Sequence, residues 1–446
     1  MQANDLTAYL IPLRDDVRVL SDAGYVTQAL KLIDFLVSEG KVDDLQRERL
    51  LLEAHRLPVF LRDYPLDEER ALELANAAGF SLDAGSLSRL RCEGVVPWAL
   101  VDGKVHLHRR FLDTLDKGRE TPERQADLQL RDLVMKKMTG FGHAEARITV
   151  HVGLKVKESA WVRGQVLEAD LPIPVASPFM EELDIHAQSG QLVGMSPVRG
   201  RRRVAHFRGI PKADEEFWIE YSFINRQKFR DLAALESKCE AKVQHSREEA
   251  PYLVATPYLR ALCKEIIGDE TNPIRKARLI YQWVIHHVSY AYMPSYQTIS
   301  NLAEYGAVNG RGDCGIQASL FINLARIAGL KSDWMAGMYV TPHRVGNHDW
   351  ATFQVPGLDE TFYADCSFGG GALRKGNLLG SGFYFGNLDV MRVPCTTILA
   401  PGPSLIAGPW RNDPTDNQSG EAWYGNRTLA PDELVDTRRT VSFKLL

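Results

Sequence analysis

The sequence predicts a multi-domain α+β protein: a mainly helical N-terminal module, an antiparallel β-sandwich, and a mixed unit in which a buried helix packs on an antiparallel sheet. Three observations predict it. At 446 residues the chain exceeds what one hydrophobic core usually serves, since domains run to ~100–200 residues. With 45% hydrophobic and 25% charged residues it has the composition of a folded chain, which excludes the disordered, fibrous and collagen-like classes. Finally, its hydrophobic pattern changes twice, from helical spacing to alternation and back.

Taken in order, Leu6 to Gly79 has apolar residues at helical spacing, as in Val26, Ala29, Leu30, Ile33 and Leu36, with Gly40 placed to stop that helix. PWALVDGKVHLH then reads as two short strands about Asp102-Gly103, a dipeptide suited to a tight hairpin turn. These features define a module over residues 1–117. A charge-rich connector follows at 118–144, helical over Ala126 to Met138. Residues 145–235 form the β-sandwich, because RITVHVGLKV, VRGQVLEADL, RRRVAHFRGI and EFWIEYSFI alternate or cluster β-branched and aromatic residues between Pro and Gly. The remaining unit, 236–446, opens with helical spacing over Tyr258 to Val288. It turns strand-rich from Asp333 to Phe368 and ends in a Gly, Pro and Asn-rich tail expected to wrap over other parts with a few strands.

Composition also narrows the partners. Lys plus Arg number 53 against 57 Asp plus Glu, a formal charge of -4, so no nucleic-acid partner is expected. The basic run Arg199, Arg201, Arg202 and Arg203 reads as a solvated hairpin turn. No apolar run approaches the ~20 residues a membrane helix needs, so no membrane partner is expected. The first residues lack the basic start, apolar stretch and cleavage site of a secretory leader. The expected location is therefore cytoplasmic, or secreted or periplasmic if a leader has been removed. Six cysteines without CxxC pairs fit reduced thiols. No cofactor and no metal are expected, since His343, His348, Cys314 and Cys366 match no standard zinc spacing and no acidic calcium loop is present.

Chemistry concentrates at Gly312-Asp313-Cys314-Gly315, which opens IQASLFINLARIAGL. Ile316, Leu320, Leu324 and Ile327 make an apolar helix face, Asp313 suits the N-cap and Gly329 the C-terminal end. A thiol in the first turn feels the positive helix end and free N–H groups, which favour thiolate and lower the pKa below ~8.5, against the nearby Asp313 charge. Gly312 and Gly315 are expected to leave room for a substrate. Downstream, NHDWATFQV and TFYADCSFGG read as adjacent antiparallel strands. They would set His348 and Asp365 side by side, facing the helix that bears Cys314. A thiolate nucleophile needs such a base and such an orienting group. Cys366, beside Asp365, reads as a buried structural thiol, and Trp350 as a shield over the site.

The runs GRGDCGIQASLFINLARIAGL, MAGMY, NHDWATF and FYADCSFGG, over about Arg275 to Phe385, resemble the core of transglutaminase-like domains, a papain-like superfamily of thiol peptidases, amidases and acyl transferases. The resemblance implies a papain-like catalytic domain with Cys314 as nucleophile, His348 as general base and acid, and Asp365 as orienting carboxylate. The β-sandwich and the FGNLDVMRV and SGEAWYGN segments are similar, less specifically, to bacterial multi-domain members. The family's oxyanion hole pairs the nucleophile's backbone N–H with an upstream side-chain donor, for which Gln297 and Tyr296 are the candidates. The expected function is a thiol-dependent amide hydrolase, a cysteine peptidase or amidase, acting on a peptide, protein or small amide through a thioester. The alternatives are an acyltransferase with the same triad, or a catalytically silent peptide- or glycan-binding protein.

Overall fold

The computed structural model describes residues 6–116, 121–240, 242–244, 248–399 and 417–446. The N-terminal helices α1 (Asp15–Asp22), α2 (Val26–Ser38) and α3 (Asp44–Asp63) bury Val17, Val26, Ala29, Ile33, Leu36, Leu50 and Leu57 in one small core. Gly40, at φ +62°, ends α2 in the left-handed region. A second small core joins β1 (Leu66–Asp67), α4 (Glu68–Ala77), α5 (Ala84–Cys92), β2 (Trp98–Val101), β3 (Lys104–Leu107) and α6 (Phe111–Asp116). Asp102 and Gly103 both take positive φ, 47° and 82°, which is the twist a two-residue hairpin requires. The boundary expected at 117–118 lies outside the described residues. Helix α7 (Pro122–Phe141), capped by Thr121 and stopped by Gly142, extends the expected connector helix at both ends.

The sandwich opens with β4 (His143–Val156), β5 (Leu167–Pro172), β6 (Met180–Gln188), β7 (Leu192–Met195), β8 (Val204–Gly209) and β9 (Glu216–Lys228). Alternate residues of β4, from Ala144 to Val156, are buried, as period two dictates. Arg203 departs from the solvated reading of its basic run. It is 5% exposed and donates to the Pro174 carbonyl at 2.6 Å, because the chain before β8 runs against the segment that carries Cys395, with the Arg203 N–H bonded to Cys395 O.

The third expected unit begins with α8 (Pro257–Ile267), α9 (Pro273–His287), α10 (Leu302–Asn309) and α11 (Cys314–Ile327). Its antiparallel sheet contains β10 (Lys331–Val340), β11 (Val345–Gln354), β12 (Thr361–Ala364), β13 (Phe385–Gly386) and β14 (Arg392–Thr396), in the order β13-β12-β11-β10-β14. The strand expected through Asp365 and Gly369 stops at Ala364, and α12 (Cys366–Arg374) and α13 (Leu378–Phe383) follow. Two local causes explain the change. The Asp365 carboxylate accepts the Phe368 N–H at 3.0 Å, as an N-cap does. Gly369 admits the Tyr281 hydroxyl, which a Cβ there would meet at 1.7 Å.

The tail returns to the sandwich as β15 (Glu421–Tyr424), β16 (Arg427–Thr428), β17 (Leu434–Asp436) and β18 (Arg439–Leu445). β15 pairs with β5, and β17 and β18 cover the edge of β4 left open by β9. The last residues of the expected catalytic unit thus complete another layer and protect a long strand edge. Among the described residues, no helix is long and apolar enough to cross a membrane.

Candidate active site

Helix α11 is buried from Cys314 to Ala325 on all sides, not along one face alone. It is central, packed between α8, α9 and α10 and the sheet. Asp313 caps it by accepting the Ile316 N–H at 3.1 Å, and Gly329, at φ +88°, follows its last turn. Cys314 therefore stands in the first turn of a rigid, capped helix.

The neighbouring strand decides what the thiol meets. In β11, His348 pairs with Gly337 and Asp349 with Ala336, without a bulge between them. Successive side chains of a strand point to opposite faces, so these two residues diverge. Phe353, of the same parity as Asp349, touches Phe321 of α11 at 5.7 Å, which puts Asp349 on the helix side. The Cys314 thiol accordingly donates to Asp349 Oδ2 at 3.1 Å. On the other face, His348 Nε2 meets Asp365 Oδ2 at 2.6 Å, and its ring lies 4.6 Å from that of Phe368. Of the three residues expected to converge, the structure brings His348 and Asp365 together and leaves Cys314 hydrogen-bonded to the residue beside His348.

A cavity of about 500 Å³ opens over the thiol, lined among others by Cys314, Asp349, Tyr290, Tyr292, Tyr296 and Gln418. The Gln418 amide donates to Asp349 Oδ1. Tyr296, one expected oxyanion donor, lies at the cavity, and its hydroxyl donates to Asp313 Oδ1 at 2.5 Å. Gln297, the other candidate, does not line the cavity. It is 2% exposed, its side chain meets His55 of α3 at 3.2 Å and its carbonyl accepts from Tyr9. A three-residue 3-10 turn over Tyr296–Thr298 sends the two side chains different ways.

The glycines do not open space for a substrate. A Cβ on Gly315 would lie 2.1 Å from the Tyr296 hydroxyl and 2.9 Å from the Trp334 ring, and one on Gly312 would lie 2.3 Å from Ile316 Cγ2. They admit close packing of the protein itself. Trp350 packs with Phe179, Met335 and Leu388, on the His348 face, so it covers the imidazole and not the thiol. Cys366 is buried as expected, though at the start of α12 rather than within a strand. Sequence reasoning missed Asp349 and Gln418, and also Arg110 and Arg344, which line the same cavity. For Asp349 the signal was present: alternation alone sets it opposite His348.

The two faces differ electrostatically. Burial, then the Asp349 and Asp313 carboxylates, push the Cys314 thiol well above the usual range, so these terms override the thiolate preference expected at a helix N-terminus. Burial lowers His348 further than Asp365 raises it. Burial alone would raise Asp365, but His348 and Arg392 outweigh it and hold the carboxyl below the usual value. The pair is therefore a neutral imidazole donating to an ionised carboxylate. Its charge is balanced by Arg392, 2.9 Å from Asp365 and 3.2 Å from Asp389. The fully buried guanidinium also lies 4.2 Å from the centre of the Phe368 ring.

Residues 260–360 match the transglutaminase-like superfamily, so this multi-domain α+β chain contains a transglutaminase-like domain that includes α11, β10 and β11. Over 115 residues the chain is 30% identical to an uncharacterized protein of Haemophilus influenzae, a match covering 24% of this chain and 31% of that relative's length. Among solved structures, it is similar to a candidate cysteine protease from Cytophaga hutchinsonii, with TM-score 0.43 and 13% identity over 68% of this chain and 98% of that one. It is also similar to the periplasmic domain of TgpA from Pseudomonas aeruginosa, with TM-score 0.29 and 14% identity over 56% and 95% of the two chains.

Proposed function

We propose that the protein is a thiol-dependent amide hydrolase in which Cys314 is the nucleophile and His348, oriented by Asp365, moves the protons. The observation that carries this reading is the position of Cys314, in the first turn of a capped, buried helix and in the wall of a cavity, inside the matched domain. In the reaction, the thiol gives up its proton as Sγ bonds to the amide carbonyl carbon. The oxyanion that forms takes hydrogen bonds from backbone N–H at the helix start and from Tyr296. The C–N bond then breaks, and the amine leaves with the proton held by His348. Water adds to the thioester, giving a carboxylic acid and restoring the thiol.

For His348 to serve the sulfur, the contact of Cys314 with Asp349 must be exchanged for one with the imidazole. Such a change at the start of β11 would disturb pairing with one strand only, since Val345 to Trp350 pair with β10 and β12 joins at Ala351. Transfer to an amine in place of water uses the same thioester. The test incubates the full chain with a mixture of amide-capped peptides and a labelled primary amine. New carboxylic acid, lost in Cys314→Ala, supports hydrolysis, whereas incorporated label supports transfer.

A second reading, a catalytically silent binding protein, is favoured by one specific observation: the thiol is neutral and hydrogen-bonded to Asp349 rather than to an imidazole. Alkylation separates the two. A reactive nucleophile consumes iodoacetamide faster than Cys263, whose thiol burial pushes up to about 11; equal or slower reaction at Cys314 supports silent binding.

A further inference from the structure

Three parts of the chain bring arginines to the cavity over Cys314. The N-terminal module contributes Arg109 and Arg110, the turn between β10 and β11 contributes Arg344, and the returning tail contributes Arg438. These arginines are not equally committed. Arg109 is held by the buried Asp63 at 3.2 Å. Arg438 is clamped by Asp436 and by the Gln418 carbonyl. Arg344 is exposed, and among the described residues no carboxylate pairs with it. Arg110 shares one carboxylate, Asp113 at 2.7 Å, and lies 3.9 Å over the Tyr292 ring, which leaves guanidinium edges open to a second acceptor.

Tyr292 ties these groups to the thiol, being within electrostatic reach of Arg110, Arg344 and Cys314 together. The carboxylates nearest the sulfur are already engaged, Asp313 by Tyr296 and the helix cap, Asp349 by Cys314 and Gln418. Positive charge is therefore the kind still available to a ligand beside the reacting atom. A guanidinium recognises a carboxylate through paired, charge-assisted hydrogen bonds.

We propose that the cavity takes an acyl donor bearing a carboxylate near the reacting amide, held by Arg344 and, from the N-terminal module, by Arg110. Naming the ligand an acyl donor rests on the proposed role of Cys314; its negative charge does not. Under this assignment the N-terminal module supplies part of the specificity and does more than support the fold. Its Asp63 also accepts the Ser295 N–H at 2.7 Å, which fixes the loop that carries Tyr292 and Tyr296.

The test measures binding, so that it is independent of turnover. Full-length Cys314→Ala is titrated by calorimetry with acetyl-Ala-Gln-Ala-amide, acetyl-Ala-Glu-Ala-amide and acetyl-Ala-Gln-Ala with a free carboxylate. The second and third arms separate a side-chain carboxylate from a terminal one. We expect one acidic peptide to bind at least tenfold tighter than the neutral one. Arg344→Gln should erase that preference and Arg110→Gln weaken it severalfold, with neutral-peptide binding unchanged. Equal binding of all three, no binding of any, or a preference that survives Arg344→Gln overturns the proposal. An acid preference in a protein that never forms product would leave this inference standing and remove the hydrolase reading. Turnover without an acid preference would do the reverse.

Discussion

The two faces of β11 show how one strand can carry two chemistries. Toward α11 it presents Asp349, which meets a thiol, an amide from the tail and a cavity. On the opposite face it presents His348, 3% exposed, which meets Asp365 and a set of aromatic rings, with Arg392 beyond Asp365. One face borders a cavity and holds a protonated thiol; the other is closed and holds a neutral imidazole beside an ionised carboxylate. A thiol, an imidazole and a carboxylate all stand against one strand, divided by its pleat. A one-residue change of register reverses every side chain of a strand, so the division turns on a local feature of the backbone.

The largest effects test whether the faces cooperate. If the imidazole serves the sulfur, Cys314→Ala and His348→Ala should each reduce amide turnover by about a thousandfold or more, and the double variant should be no worse than either single one, as for residues that act as a unit. A His348→Ala protein that keeps more than a tenth of the activity would make the faces independent. Next comes the charge that balances the closed face. Arg392→Ala leaves the Asp365 and Asp389 carboxylates buried without a countercharge, which should cost about 3–5 kcal/mol in urea unfolding. A loss below ~1 kcal/mol would mean that water or other groups already neutralise those carboxylates.

Much of this arrangement was legible in the sequence. The helix with Asp313 as cap, the pairing of His348 with Asp365 and the sandwich all follow from periodicity and turn chemistry, which are local. What escaped was long-range. Gln418 reaches Asp349 from 69 residues away, and Arg110 enters the cavity from a separate module; neither leaves a local pattern. The helix at Cys366 was hidden because TFYADCSFGG reads as a strand, and the Asp365 cap together with the Tyr281 hydroxyl packed against Gly369 explains a helix there. The face of His348 was a different kind of miss. Alternation was available, but which face α11 covers depends on Phe321 meeting Phe353, a contact that spacing alone does not reveal.

A smaller effect sharpens the face that borders the cavity. Because the Asp349 carboxylate, after burial, is the main influence holding the Cys314 thiol up, Asp349→Asn should lower the thiol's pKa. Alkylation of Cys314 by iodoacetamide at pH 8 should then accelerate about tenfold, one pKa unit's worth of thiolate. Unchanged or slower alkylation would show that burial and Asp313 keep the thiol protonated without Asp349.

The smallest effect belongs to the closed face and is read from stability against pH. Burial lowers His348 below its ordinary 6.5, despite Asp365, with Arg392 adding to the shift and Asp389 opposing it. The folded protein thus keeps the ring neutral where the unfolded chain would protonate it, so the unfolded state binds more protons and stability rises with pH. The contribution is complete above pH 6.5 and is lost as pH falls toward the lowered folded value; Asp365, also lowered, adds the same sign only below about 3.8. His108, pushed down to about 4 by burial, acts in the same direction, so the difference between proteins isolates His348. Between pH 6.5 and 5.5 the wild type should lose about 1 kcal/mol more than His348→Gln in urea unfolding. Identical losses would mean that the fold leaves the imidazole unshifted, and a smaller loss in the wild type than in His348→Gln would mean that the ring is held protonated, paired as a cation with Asp365, so that the closed face holds an acid.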